Sequence, residues 1–184
     1  MHPPLVGRFV DLGMGVPLPG WELRVPGPRG QVGELMVRGP GTMKGYHDAP
    51  EATAAMLGRD GWVHTGDLAR RGPLGTVSFV GRAKDVIKNG GYSVYATEVE
   101  RALEEHEAVA EAAVLGLADE RRGERVVAVV RRRPGRAVTE DEVLAFARDR
   151  LSTYKVPLQV RVVDELPRTG TEKVRRNKLK ALFP

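Results

Sequence analysis

Residues 81–100 read GRAKDVIKNGGYSVYATEVE, and this stretch divides the chain. The apolar run Thr76 to Val80 ends at Gly81, after which Arg82, Lys84, Asp85 and Lys88 crowd the approach to a Gly90-Gly91 pair. Paired glycines permit positive φ and leave room for something to pass close to the backbone. Thr97 followed three residues later by Glu100 has the form of a capping box and predicts that a helix opens there. The residues describe a hinge that also handles ligand, or a charged β-turn before a helix.

Before this stretch the pattern is β-rich. Trp21 to Val25 alternates apolar and polar, Gly33 to Val37 reads as a second strand and Thr76 to Val80 as a third, with Gly and Pro clusters between them. Such turns predict a compact barrel-like or sandwich-like unit. Asp48-Ala-Pro-Glu51 has the form of a capping box with Pro inside it, opening a short helix to about Leu57. The segment GPGTMKG, Gly39 to Gly45, lacks the Gly-Lys-Ser/Thr ending of a phosphate loop and reads as a turn before that helix. Thr65-Gly66-Asp67 reads as a tight loop, and a carboxylate held there can accept hydrogen bonds from two adjacent sugar hydroxyls.

After the stretch, helix and strand periods alternate. A helix from Thr97 to about Glu105 turns Val99, Ala102 and Leu103 inward; Ala112 to Leu117 and Arg125 to Val130 are strands. The second of these is almost continuously apolar, which suits a sheet covered on both faces. Thr139 and Glu142 form another capping box, followed by Val143, Leu144, Phe146, Ala147 and Leu151 at helical spacing, and Gln159 to Val163 is a last strand.

Composition narrows the chemistry. At 184 residues, 41% hydrophobic and 29% charged, the chain is long enough for one domain or two small ones with a real core. It has no cysteine, which excludes disulfides and thiolate chemistry, and His2, His47, His64 and His106 are too scattered for a metal site. No apolar run approaches the roughly 18 residues of a membrane span, and MHPPLVGRFV lacks the form of a signal peptide, so a cytoplasmic protein is expected. Net charge is +5, with eight Lys/Arg against seven Asp/Glu in residues 1–80 and 21 against 17 thereafter. A basic second part suits nucleotides and phosphorylated cofactors; without aromatic-basic interleaving, nucleic acid is not expected.

Three ordered motifs carry a resemblance: TGD at Thr65 to Asp67, the stretch at residues 81–100, and LPRTGTEKVRRNKL at Leu166 to Leu179. Together they resemble the adenylate-forming, AMP-binding enzymes of the acyl-CoA synthetase type, and specifically their C-terminal portion. The resemblance implies an α+β architecture, with residues 1–81 forming a small β-barrel-like subdomain that closes the large N-terminal part. Residues 82–184 would then form a compact, mobile α/β C-terminal domain.

It also implies roles. Lys173 would be the catalytic residue, a long ammonium meeting carboxylate and α-phosphate as pyrophosphate leaves; charge directed at a transition state is often the largest catalytic term. Asp67 and Arg82 would bind the ribose of ATP or AMP, Lys84 would be the hinge, and Gly90 and Gly91 would line the pantetheine passage while Lys88 meets CoA phosphates. ATP, magnesium carried by ATP, CoA and a carboxylic acid are the implied ligands, in fatty acid or related metabolism. One departure stands out: Glu172 occupies the place before the lysine where the family more often has Gly.

The family's Ser/Thr/Gly-rich phosphate loop and its Tyr-Gly-x-Thr-Glu motif are absent from these residues. The expectation is therefore the C-terminal part of an ATP-dependent acid-CoA ligase, inactive unaided and served by an N-terminal domain or subunit supplied separately. The alternative is a non-catalytic nucleotide-, CoA- or protein-binding module that keeps the fold. A peptide-synthetase adenylation domain is a third version, which the lack of a carrier domain after Pro184 disfavours.

Overall fold

The computed structural model describes residues 13–72 and 75–183. His2, the signal-peptide reading of the first ten residues and the start of the expected β-rich subdomain lie outside them. The chain divides into two compact units, one ending at Ala83 and the other beginning at Lys84.

The first unit is a four-stranded antiparallel meander of β1 (Glu22–Arg24), β2 (Val32–Arg38), β3 (Val63–Arg71) and β4 (Val77–Arg82), paired in chain order. One face buries Val25, Leu35, Ala69 and Val77, and each of the three larger side chains contributes about 1.5–3 kcal/mol when removed from water. Two bulges bend this sheet. Between the pairs Met36↔His64 and Glu34↔Leu68, β3 advances four residues while β2 advances two, so Thr65-Gly66-Asp67 is extruded from a strand and does not form a free loop. Gly66 takes φ +70 there, a region only glycine enters cheaply.

Helix α1 (Pro50–Met56) places Pro50 in its first turn, where the missing N–H costs nothing. The expected cap by Asp48 does not form. Ala49 is the N-cap without a side-chain bond, Asp48 has φ +50, and the Thr53 hydroxyl ties back to Ala49 O and accepts from Tyr46 N. Gly39 to Thr42 closes a turn, and a Cβ on Gly39 would sit 2.5 Å from the Trp21 ring, so close packing accounts for this glycine.

The second unit is a mixed sheet covered on both faces. It comprises β5 (Val86–Asn89), β6 (Tyr92–Tyr95), β7 (Val109–Asp119), β8 (Gly123–Arg132) and β9 (Gln159–Val163), in the order β6-β5-β8-β7 with β9 parallel to β8. β7 pairs along the whole of one edge of β8, while β5 at Gly123 and β9 at residues 127–131 share the other. Alternation along β8 then decides the cores. Val126, Ala128 and Val130 face α2 (Ala96–Glu104) and α3 (Glu140–Arg150) together with Val99, Leu103 and Val143. Val127 and Val129 face Leu166, Leu179 and Phe183 of the C-terminal segment. Residues 126–130 are 0% exposed, which is why the run is apolar without interruption.

Thr139 does cap α3: its hydroxyl accepts from Glu142 N and the Glu142 carboxylate accepts from Thr139 N. Thr97 does not cap α2, which starts at Ala96 with Tyr95 as N-cap and no side-chain bond. Glu100 turns instead toward the unpaired edge of β7, where it accepts from Val114 N at 2.9 Å, and Glu104 accepts from Ala112 N at 3.0 Å. An open sheet edge presents orphan backbone groups, and these carboxylates occupy them more profitably than a helix end would.

Candidate functional site

The sequence-selected residues fall into three groups. Asp67 and Arg82 belong to the first unit, Lys88 with Gly90 and Gly91 to one edge of the second unit's sheet, and Lys173 to a loop anchored at the opposite edge. Lys84 is the first residue of the second unit, within a 3-10 turn at Ala83–Asp85.

Asp67 and Arg82 are direct partners across β3 and β4, with Arg82 Nε donating to Asp67 Oδ1 at 2.9 Å. The Asp67 amide donates to the Thr65 hydroxyl, which donates to Leu35 O at 2.7 Å. Glu34 joins from β2, accepting from Gly66 N and lying 3.0 Å from His64 Nδ1. The bulge is thus pinned on both sides, leaving the Asp67 carboxylate partly exposed beside one guanidinium. Glu34 and His64 were missed by the sequence reading, since only the strand register brings them within reach of the TGD segment.

The Gly90-Gly91 pair is a two-residue hairpin turn, with Asn89↔Tyr92 the last strand pair and φ of +59 and +84. Two positive φ values define the turn type that matches strand twist, and glycine meets that need without strain. A Cβ at either glycine would meet nothing within 4 Å, so the space beside them is open. The hairpin is held by Asn89 Nδ2 to Tyr154 O at 2.7 Å, Gly90 N to Arg122 O at 2.9 Å and Lys88 N to Glu124 at 2.6 Å. Lys88 Nζ donates to Ser93 Oγ.

Beside the hairpin lies an open groove of about 750 Å³ lined by Asn89, Gly90, Tyr92, Arg122, Tyr154 and Leu158, with Tyr92 and Tyr154 stacked at 4.5 Å. Lys155 next to it is paired with Glu98. Burial alone disfavours its charged form, but the hydrogen bond and charge of Glu98, with help from Tyr154, outweigh that and raise its pKa above the ordinary lysine value.

Lys173 closes a three-residue loop. Thr169 N donates to Lys173 O at 2.8 Å, Glu172 N to Thr169 O at 3.0 Å, and Arg168 and Val174 pair as an isolated bridge. The last loop residue, Glu172, has φ +61, the left-handed position of a bulged hairpin loop. A glycine, which the resemblance places at this position, would adopt that φ without strain. The Glu172 carboxylate leans to Arg168 Nε at 3.8 Å, while the exposed Lys173 ammonium has no partner among the described residues. Among the described residues, no three His, Asp or Glu side chains converge to hold a metal ion, and no helix is long and apolar enough to cross a membrane.

Residues 98–173 match the family model of the AMP-binding enzyme C-terminal domain. The chain belongs to the AMP-binding, adenylate-forming enzymes. Among curated AMP-binding relatives, a methyl-dioxo-octahydro-indenyl propanoyl:CoA ligase of Rhodococcus jostii is 46% identical over 166 residues, covering 90% of this chain and 32% of that protein. The long-chain-fatty-acid–CoA ligase of Bacillus subtilis is 47% identical over 147 residues, covering 80% and 26%. Among solved AMP-binding structures, ATP-bound MatB from Rhodopseudomonas palustris superimposes with a TM-score of 0.86 at 36% identity, over 98% of this chain and 37% of that one. The chain spans about a third of the length of the relatives it matches, and the match is to their C-terminal portion.

Proposed function

We propose that this chain supplies the C-terminal part of an ATP-dependent acid-CoA ligase, which joins a carboxylate to AMP with loss of pyrophosphate and then passes the acyl group to CoA. The observation that carries the reading is the Lys173 ammonium, exposed and without a partner among the described residues at the end of a tightly hydrogen-bonded loop. A cation left free of carboxylates by its own fold is available to two anions at once. In the first half-reaction it bridges the substrate carboxylate and the α-phosphate as charge builds on the leaving pyrophosphate. Asp67 accepts from the ribose hydroxyls, and Arg82 turns from Asp67 toward the same sugar.

In the second half-reaction the opposite edge of the same sheet is used. The open space beside Gly90 and Gly91 admits the pantetheine arm, and Lys88 meets CoA phosphates. Lys84, at the junction of the two units, takes up the rotation that exchanges one edge for the other, a hinge motion of a familiar kind. Magnesium would enter with ATP as part of the substrate; among the described residues no three His, Asp or Glu side chains are placed to hold it. The setting is carboxylate metabolism, of fatty or related acids, in the cytoplasm.

The 184 residues contain no phosphate loop, so the chain alone releases no pyrophosphate when given ATP, magnesium and a panel of acids. Fused behind the rest of the Rhodopseudomonas palustris MatB, it supports acid-dependent pyrophosphate release that Lys173→Ala abolishes. Robust turnover by the isolated chain, or a fusion indifferent to Lys173, refutes the reading. Binding of AMP or CoA without any such turnover identifies the non-catalytic module instead.

A further inference from the structure

We infer that Arg168 and Arg176, neither with an assigned role, are positioning residues that clamp the Lys173 loop onto β7. The inference rests on the proposed role of Lys173. The two arginines flank the loop and reach the same strand. Arg168 Nη2 pairs with Glu111 at 2.5 Å, and its Nη1 donates to Glu172 O at 2.8 Å, inside the loop itself. Arg176 donates to Val114 O and pairs with Glu100 at 2.8 Å, the same carboxylate that accepts from Val114 N.

Each guanidinium therefore has one acceptor on β7, Glu111 for Arg168 and Val114 O for Arg176, and a second set apart in space, Glu172 O within the loop and Glu100 on α2, which the planar fork of arginine permits and a point ammonium does not. Glu100 is only 9% exposed and Glu111 is shared with Arg131 at 3.4 Å, so neither acceptor is free to follow a wandering partner. Val174, between the two anchors, packs into the core beneath. Without the clamp, the hydrogen bonds of Thr169 still close the loop, but the loop's place relative to the sheet is no longer determined. A reaction that needs its ammonium placed to within about 1 Å loses rate when that happens.

Arg168→Gln is the variant of choice, because Arg168 bonds the loop backbone itself and its replacement leaves the pair between Arg176 and the largely buried Glu100 intact. The first measurement uses the full chain and a lysine-specific endoprotease under native conditions. Cleavage after Lys173 is expected to rise about tenfold, following the population of the opened loop, while cleavage after Lys44 in the other unit stays unchanged. No rise at Lys173, or an equal rise at both lysines, overturns the inference.

The second measurement uses the MatB fusion and separates the half-reactions: acid-dependent exchange of pyrophosphate into ATP, and thioester formation from preformed acyl adenylate and CoA. Arg168→Gln is expected to lower the kcat of the first by about ten- to a hundredfold and to leave the second unchanged. Equal loss in both, or loss in neither while Lys173→Ala abolishes exchange, overturns the inference. If Lys173→Ala leaves exchange intact, the reading of Lys173 itself has failed, and the catalytic half of the inference falls with it whatever the cleavage shows.

Discussion

Arg82 and Asp67 are cross-strand partners, with Nε 2.9 Å from Oδ1 and both side chains open enough to exchange that contact for another. An ion pair half in water contributes about 0–1 kcal/mol, so stability is not what it chiefly serves. Asp67→Asn is expected to change the melting temperature little while removing adenylation in the fusion, measured as pyrophosphate release. A large fall in melting temperature would mark the pair as structural.

Glu172 occupies a left-handed position at φ +61, where a side chain costs about 1–2 kcal/mol over glycine. Glu172→Gly should therefore raise the unfolding free energy by about 1 kcal/mol, less whatever the long 3.8 Å contact to Arg168 contributes. Urea denaturation of the two chains measures it, and a destabilised Gly variant contradicts the strain argument.

Gly90 and Gly91 hold positive φ with open space at both Cβ positions, so a substitution there meets conformational cost and no clash. Gly91→Ala is expected to cost about 1–2 kcal/mol in stability. Gly91→Trp costs a similar amount but in the fusion blocks thioester formation while sparing adenylation. Equal effects of Ala and Trp on thioester formation would show that the hairpin borders no passage.

The capping box at α3 gives a pH dependence with a definite sign. Hydrogen bonds from the Thr139 backbone and hydroxyl stabilise the Glu142 carboxylate and lower its pKa below the ordinary 4.5. A depressed carboxylate contributes stability that is present above the unfolded value and lost as pH falls through the folded one. Glu142→Gln should therefore flatten the decline in stability below about pH 4.5, and the difference from the parent chain should vanish in stronger acid. Thr139→Ala, which removes the cap, should cost about 1 kcal/mol at neutral pH, read from thermal unfolding.

Much of this was legible without coordinates because it is local or periodic. The uninterrupted apolar run of β8 announced a strand covered on both faces, and Thr139 three residues before Glu142 announced a helix start that forms as expected. The same sequence pattern misled at Thr97 and Asp48. Thr97 lost its role because Glu100 found unpaired amides on the edge of β7, and no sequence pattern shows which strand edge a fold leaves open. At Asp48, the backbone entered α1 through a positive φ that left Ala49 as the cap.

By itself, then, the sequence determined most of the strands and helices in their order and the apolar faces they bury, since side-chain periodicity and short-range capping act within a few residues; β3, whose TGD read as a loop, and the short β5 and β6 went unread, and Lys173 was singled out by the motif resemblance alone. Only the tertiary structure decided that Asp67 stands opposite Arg82, that Glu34 holds the bulge between them, that Glu172 must strain where glycine would not, and that Arg168 and Arg176 meet on one strand. Those relationships depend on strand register and on which backbone groups are left unpaired. Both are properties of the assembled sheet and are set by residues up to 62 positions apart.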